Sequence, residues 1–293
     1  MRLSGAAMRV AVAVAVASLV TGCAGGGTNT SPTVTSGLAL LDFDTATFTV
    51  PIDAYGMSLQ EVNIVNAAHA AAFAQCFTGR TTLDPDVLDN VRKFLTSLPM
   101  GQWHFGSWDA PFVAAHGFPG AGTQPSLWVE DLTDAQQTIA AACVNDNASV
   151  QVFEPVSPAF GMAIDLGHNM QQLNVYWSDG FARTQSDQRY IDLNVQRNAC
   201  ITAAGYPVLV ESGQKTGEIF YQNSWTAEYR NAAAVAGAKC ADDMNYTQQV
   251  VDIVAAYQLQ TIAKHQAELT AIRQELDDRV ANATEFLKTV GVM

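Results

Sequence analysis

From Trp225 to Val290 the chain runs without a single proline and is rich in alanine and long helix-forming side chains, so helix is its natural state. Asp242, Asp243 and Asn245 compete for backbone hydrogen bonds, which predicts a break near residues 242–246 and two helices instead of one. From Thr247 onward Val250, Val254, Tyr257, Ile262, Leu269, Ile272, Leu276, Val280, Phe286 or Leu287, and Val290 keep an apolar stripe, with Gln, Glu, Asp, Lys and Arg opposite. Beyond Ile262 the stripe narrows to near-heptad spacing, so the last turns are expected to project as an arm or to offer a partner face. A second helical segment, RNACITAAGYP, stops at Gly205 and Pro207. It carries Cys200, the long stretch carries Cys240, and two such helices invite a covalent staple.

The upstream chain reads in shorter pieces. Leu38–Ile52 alternates loosely and predicts one short extended segment. Ser58-Leu59-Gln60-Glu61 is a capping box for a helix that turns Val62, Val65, Ala68 or His69, Ala72 and Cys76 inward and ends at Gly79. Asp84-Pro85 predicts a cap and first helical position for a helix through Val87, Leu88, Val91, Phe94, Leu95 and Leu98. Gly101–Val129 has no period and reads as an aromatic loop. Thr133–Val144 reads as a capped helix with Ile139 and Cys143 on one side, followed by irregular chain over Asn145–Pro158. Phe160–Arg183 reads as a helix with Ile164, Leu173, Tyr176 and Trp177 apolar, weakened by Gly167 and Gly180. Ser186 is the expected cap of the next helix, through Tyr190, Leu193, Arg197, Cys200 and Ala204, and Val208–Gly217 is a hydrophobic stop and a polar turn. The expected fold is mainly α: an irregular helical domain with a long C-terminal helix and long loops.

The N-terminus states a compartment. Arg2 and Arg9, the Ala/Val run Val10–Val20 and then Val20-Thr21-Gly22-Cys23 form an export signal ending in a lipobox. The run is about half the length a membrane-spanning helix needs. Cleavage before Cys23 would remove residues 1–22 and leave a thiol for lipid such as palmitate, and two acyl chains hold a protein stably on the outer face of the cell membrane. Residues 23–37, Gly/Ser/Thr/Pro-rich and uncharged after Cys23, read as a flexible tether. Residues 38–293 are enough for one extracytoplasmic domain. With 15 basic and 28 acidic residues the chain carries −13, and loss of Arg2 and Arg9 makes it −15. Such a charge repels nucleic acid and anionic lipid headgroups, leaving the lipid on Cys23 as the membrane contact.

Setting Cys23 aside leaves Cys76, Cys143, Cys200 and Cys240, an even number that reads as two disulfides outside the cytoplasm, with three connectivities. The expected pairs are Cys76–Cys143 and Cys200–Cys240. No two cysteines stand in CxxC spacing and no histidine lies at ligand distance from them, so no metal and no cofactor is expected.

His69, His104, His116, His168 and His265 form no ligand motif, and no nucleophile elbow or phosphate loop is present in the body of the chain. No catalytic residue is assigned. The candidate ligand-binding residues are Trp103, His104, Trp108, Asp109, His116 and Trp128, because aromatic side chains crowded into a loop stack on sugars or grip peptides; the alternative is that they plug the core. The expected role is binding or structural and non-enzymatic, with an envelope protein or glycan as partner. The rival is an envelope hydrolase acting on peptidoglycan or glycan, with its site in the 103–131 loop around His104, Asp109, His116 and Glu130. A transporter's solute receptor fits the anchor but not the lack of alternating strands and helices.

Several islands together resemble a family of actinobacterial extracytoplasmic lipoproteins of unknown function. They are the lipobox, Pro51-Ile52-Asp53-Ala54-Tyr55, the helix ending at Cys76, Gly106 and Gly117-Phe118, Cys143, Cys200-x4-Gly205-Tyr206, and Ala234-Val235-Ala236-x-x-x-Cys240 before a long helix. The resemblance spans nearly the whole chain and implies a helical, disulfide-held envelope domain with no catalytic residue to carry over. This chain departs from the pattern at Arg197-Asn198, where Trp-Ser is usual, and at Gly237, where Asp is usual.

Overall fold

The computed structural model describes residues 31–96, 106–117, 132–153, 167–208 and 225–293, and Ser31–Met293 form one compact unit. Where one extended segment is expected, the chain makes a hairpin: Leu40–Asp42 (β1) pairs antiparallel with Thr47–Thr49 (β2), Leu41 opposite Phe48. The Asp42 carboxylate closes the turn by accepting from the amides of Asp44 and Thr45. A single 3-10 turn, Pro51–Tyr55, follows.

Helix α1, Leu59–Thr78, starts at the predicted capping box and ends at Gly79, whose φ of +65° is left-handed and suits a residue without Cβ. Val62, Val65, Ala68 and Ala72 are buried as expected. Helix α2 is Pro85–Leu95, but Asp84 does not cap it; its carboxylate pairs with Arg80 at 3.0 Å. A short helix α3, Ala110–His116, forms inside the stretch expected to be loop, capped by Asp109 accepting from the Phe112 amide at 2.7 Å. Helix α4 is Asp134–Asp146, two residues longer than expected, and a turn of helix α5, Ala148–Gln151, replaces irregular chain. Ala140 and Cys143 are buried while Ile139 is 45% exposed, correcting the predicted inward face. Periodicity defines a stripe, but the covering helix decides which edge is buried.

Helix α6, Gly167–Gln185, buries Leu173, Tyr176 and Trp177 as expected; Ile164 lies outside the described residues. Gly180 does not break it: a Cβ there would stand 2.7 Å from the Gln258 side chain, so the glycine admits a neighbouring helix. Helix α7, Gln188–Ala203, is capped by Asp187 and not by Ser186, because the Asp187 carboxylate also takes Arg189 and Tyr257. Helices α8, Ala227–Asp243, and α9, Tyr246–Thr289, separate where predicted, with Asn245 left-handed at φ 49°. Helices dominate the described residues, as predicted. None of them is long and apolar enough to cross a membrane.

Both expected disulfides are formed. Cys76 joins α1 to Cys143 of α4, and Cys200 joins α7 to Cys240 of α8, with Cα atoms 5.8 and 5.9 Å apart.

Helix α9 is the spine: α6, α1, the 3-10 turn, α8 and α7 all pack on it. Its second half is no free arm. Leu269, Ile272, Leu276, Ala283 and Leu287 are at most 2% exposed, and α1 is among the elements that pack on α9. Near-heptad spacing marks a seam without saying whose helix fills it. Arg273 locks the seam by donating to Glu61 at 2.7 Å and to the Gly56 carbonyl. Arg92 of α2 holds the chain end by donating to the Gly291 carbonyl at 2.9 Å.

Residues 31–37, predicted to be tether, lie on the domain instead. Buried Asp252 accepts from the amides of Gly37 (2.9 Å) and Ala39 (3.0 Å), and Arg189 donates to the Pro32 carbonyl at 2.9 Å. A composition without large side chains still presents backbone donors and acceptors, and α7 and α9 use those.

Candidate functional site

The residues named for a binding or hydrolase site in the 103–131 stretch divide into two sets. Trp103, His104, Trp128 and Glu130 lie outside the described residues. Trp108 is 1% exposed, with Phe43 edge-on at 5.7 Å, and Asp109 is 2% exposed and occupied as the α3 cap. His116 ends the same helix, exposed and against the Phe112 ring. Seven helical rises set Asp109 and His116 roughly 10 Å apart along the axis, so α3 separates them instead of pairing them.

A different constellation comes together where α6 crosses α9. The Tyr176 hydroxyl donates to Glu268 Oε2 at 2.6 Å and stands 2.7 Å from His265 Nδ1; His265 Nδ1 and Glu268 Oε2 are 3.4 Å apart. Since the one phenolic proton goes to the carboxylate, Nδ1 carries the proton it shares with the phenol oxygen. The rings of Tyr176 and His265 stack with centroids 4.4 Å apart. Burial first, and the neighbouring Glu268 carboxylate second, push the Tyr176 hydroxyl above its ordinary pKa. Tyr176 is buried, whereas the His265 and Glu268 side chains are 38% and 47% exposed, so the cluster opens to solvent on the α9 side.

The backbone is distorted at this point. His265 is the one residue inside α9 with non-helical dihedrals, φ −121° and ψ 22°. Its neighbours, Ala263, Lys264, Gln266 and Ala267, are good helix formers with no proline or glycine among them, so local sequence gives no cause for a kink. The ring of this residue is the one that meets Tyr176.

The Pro51–Tyr55 turn closes the crossing from a third side. Asp53 accepts from Trp177 Nε1 at 3.1 Å and from the Val50 amide at 2.8 Å, and burial raises its carboxyl to about 6 against the partial compensation of those two donors. Tyr55 takes a hydrogen bond from Gln266 at 2.8 Å. Gln258 is fully buried; its Oε1 accepts from the Ile52 amide at 3.3 Å while its Nε2 has no partner.

Two further buried charges serve the frame. Asp187 binds Arg189 at 2.6 Å and accepts from Tyr257 at 2.8 Å, and the Arg189 guanidinium chiefly holds its carboxyl near 2. Arg197, 4% exposed, donates to the Ser107 carbonyl at 3.0 Å and lies over the Tyr246 ring at 4.9 Å. Gly106, at φ +79°, leaves the space the guanidinium fills, since a Cβ would meet its Nη2 at 2.7 Å.

Sequence reading passes over Tyr176, His265 and Glu268. The available signal is His265-x-x-Glu268, one helical turn apart, but its third member stands 89 residues upstream of the histidine. Among the described residues no three of His, Cys, Asp and Glu gather in a metal-holding arrangement. The cluster is completed by a tyrosine. Comparison with protein families, curated proteins and solved structures gives no match, so the site is read from its own geometry.

Proposed function

We propose that this protein is a lipid-anchored domain on the outer face of the cell membrane, where it binds an envelope protein or glycan without turning it over. The observation that carries the reading is the cysteine pairing: every cysteine beyond the lipobox Cys23 is in a disulfide, the state of an oxidising compartment. The lipobox and the resemblance to actinobacterial lipoproteins point the same way, and the net charge of −13 disfavours nucleic acid. The rival hydrolase gains no support from Asp109 and His116, which sit at opposite ends of α3 with the carboxylate buried as a cap.

Detergent-phase partitioning of the expressed full-length protein tests the anchor. Wild type is expected in the detergent phase and Cys23→Ala in the aqueous phase. Identical partitioning of the two would refute it. Incubation of the protein with purified cell wall is expected to retain protein on the wall and release no soluble fragments; released fragments would favour the hydrolase.

A further inference from the structure

We infer that Tyr176, His265 and Glu268 form one face of a ferric-iron site at the α6–α9 crossing. This inference stands apart from the anchoring reading. The three donor atoms form a triangle with sides of 2.6, 2.7 and 3.4 Å. An octahedral ion with bonds of about 2.0–2.1 Å needs cis donors roughly 2.9 Å apart, so the triangle has the size of one octahedral face. A phenolate and a carboxylate are hard anionic oxygens and the imidazole a borderline nitrogen, a set that suits a highly charged first-row ion.

The surroundings supply what such a face requires. Tyr176 is buried and fixes one corner, while the exposed sides of His265 and Glu268 leave the other three positions to water or a chelating oxygen. The kink at His265 aims its Nδ1 at the phenol, and the ring stack holds the orientation. Binding is an exchange. The Tyr176 O–H bond breaks and its proton leaves to solvent, while His265 gives its Nδ1 proton to solvent and takes one at Nε2, so that the phenolate oxygen, the Nδ1 lone pair and the Glu268 carboxylate replace three waters of the hydrated ion; one proton is released in all and no electron is transferred.

The test uses full-length protein in detergent, titrated with ferric nitrilotriacetate and then desalted. The expected result is one iron per chain with a visible tyrosinate-to-iron charge-transfer band. Tyr176→Phe keeps the buried ring, and its fold is checked by circular dichroism; it should lose the band entirely. His265→Gln and Glu268→Gln should each weaken retention at least tenfold. Absence of the band in wild type, or its persistence in Tyr176→Phe, overturns the site. So does iron retained equally by wild type and all three variants. Cys23→Ala should bind iron like wild type, so failure of the anchor and failure of this site are separate results.

Discussion

Replacing Cys200 and Cys240 together by alanine should destabilise the domain by about 5 kcal/mol, and most of that follows from chain entropy. The bridge closes a loop with a sequence separation of 40, and the other bridge, Cys76–Cys143, one of 67. The loop-closure relation gives about 3.9 kcal/mol for the first and about 4.4 kcal/mol for the second at 25 °C. Cys240 and Cys143 are 3% and 2% exposed, so truncation to alanine should add about 1 kcal/mol of lost packing to each. The two loops occupy separate intervals of the chain, neither inside the other, so each closure restrains a different part of the unfolded ensemble and the losses should add. Their sum is roughly 10 kcal/mol, comparable with the whole folding free energy of a typical domain of about 5–15 kcal/mol. Equilibrium guanidinium denaturation of the two double variants and the quadruple variant measures all three. Either double variant losing less than about 1 kcal/mol would refute the reasoning, because the bridges would then not be limiting the unfolded chain. A measurable quadruple loss more than about 1 kcal/mol from the sum would refute the independence of the loops.

Three further outcomes are expected. Gly180→Ala should lower the denaturation midpoint although alanine gains about 1 kcal/mol of helix propensity, because its Cβ meets buried Gln258 and overpacking costs about 1–3 kcal/mol; a raised midpoint would show that Gln258 yields freely. Asp53, raised by burial from 3.8 to about 6, favours the proton in the folded state, so its stabilising contribution is full below pH 4 and lost as pH rises through 6. The pH profile of stability for Asp53→Asn should therefore lack a decline on the order of 2–3 kcal/mol between pH 4 and 6 that wild type shows, and parallel profiles would contradict this. Asp252→Ala removes the carboxylate that holds Gly37 and Ala39, so limited proteolysis should cut within residues 31–39 at least tenfold faster while Tyr246–Thr289 stays protected; unchanged cutting would mean that Arg189 and apolar packing suffice.

Much of the local structure is readable because its causes are local. The Ser58 and Thr133 capping boxes, the stop at Gly79 and the break before Tyr246 each depend on residues within four positions, and each stands where the spacing puts it. Reading fails where a second element decides. Asp187 displaces Ser186 as a cap because Arg189 and Tyr257 recruit its carboxylate. Ile139 faces out because α1 covers the other edge of α4. Gly180, a weakness in isolated helix, is what lets α6 approach Gln258.

By itself the sequence determined that this is a mainly helical chain whose four cysteines beyond Cys23 pair in two bridges, since helix period, caps and thiol count act over short range or by simple parity. Only the tertiary structure decided that the near-heptad face of α9 is buried within the chain's own fold, that residues 31–37 are bound, and that Tyr176, His265 and Glu268 meet. Those three outcomes depend on groups 89 or more positions apart arriving at one place, and no spacing along the chain encodes a distance that only the packing of helices creates.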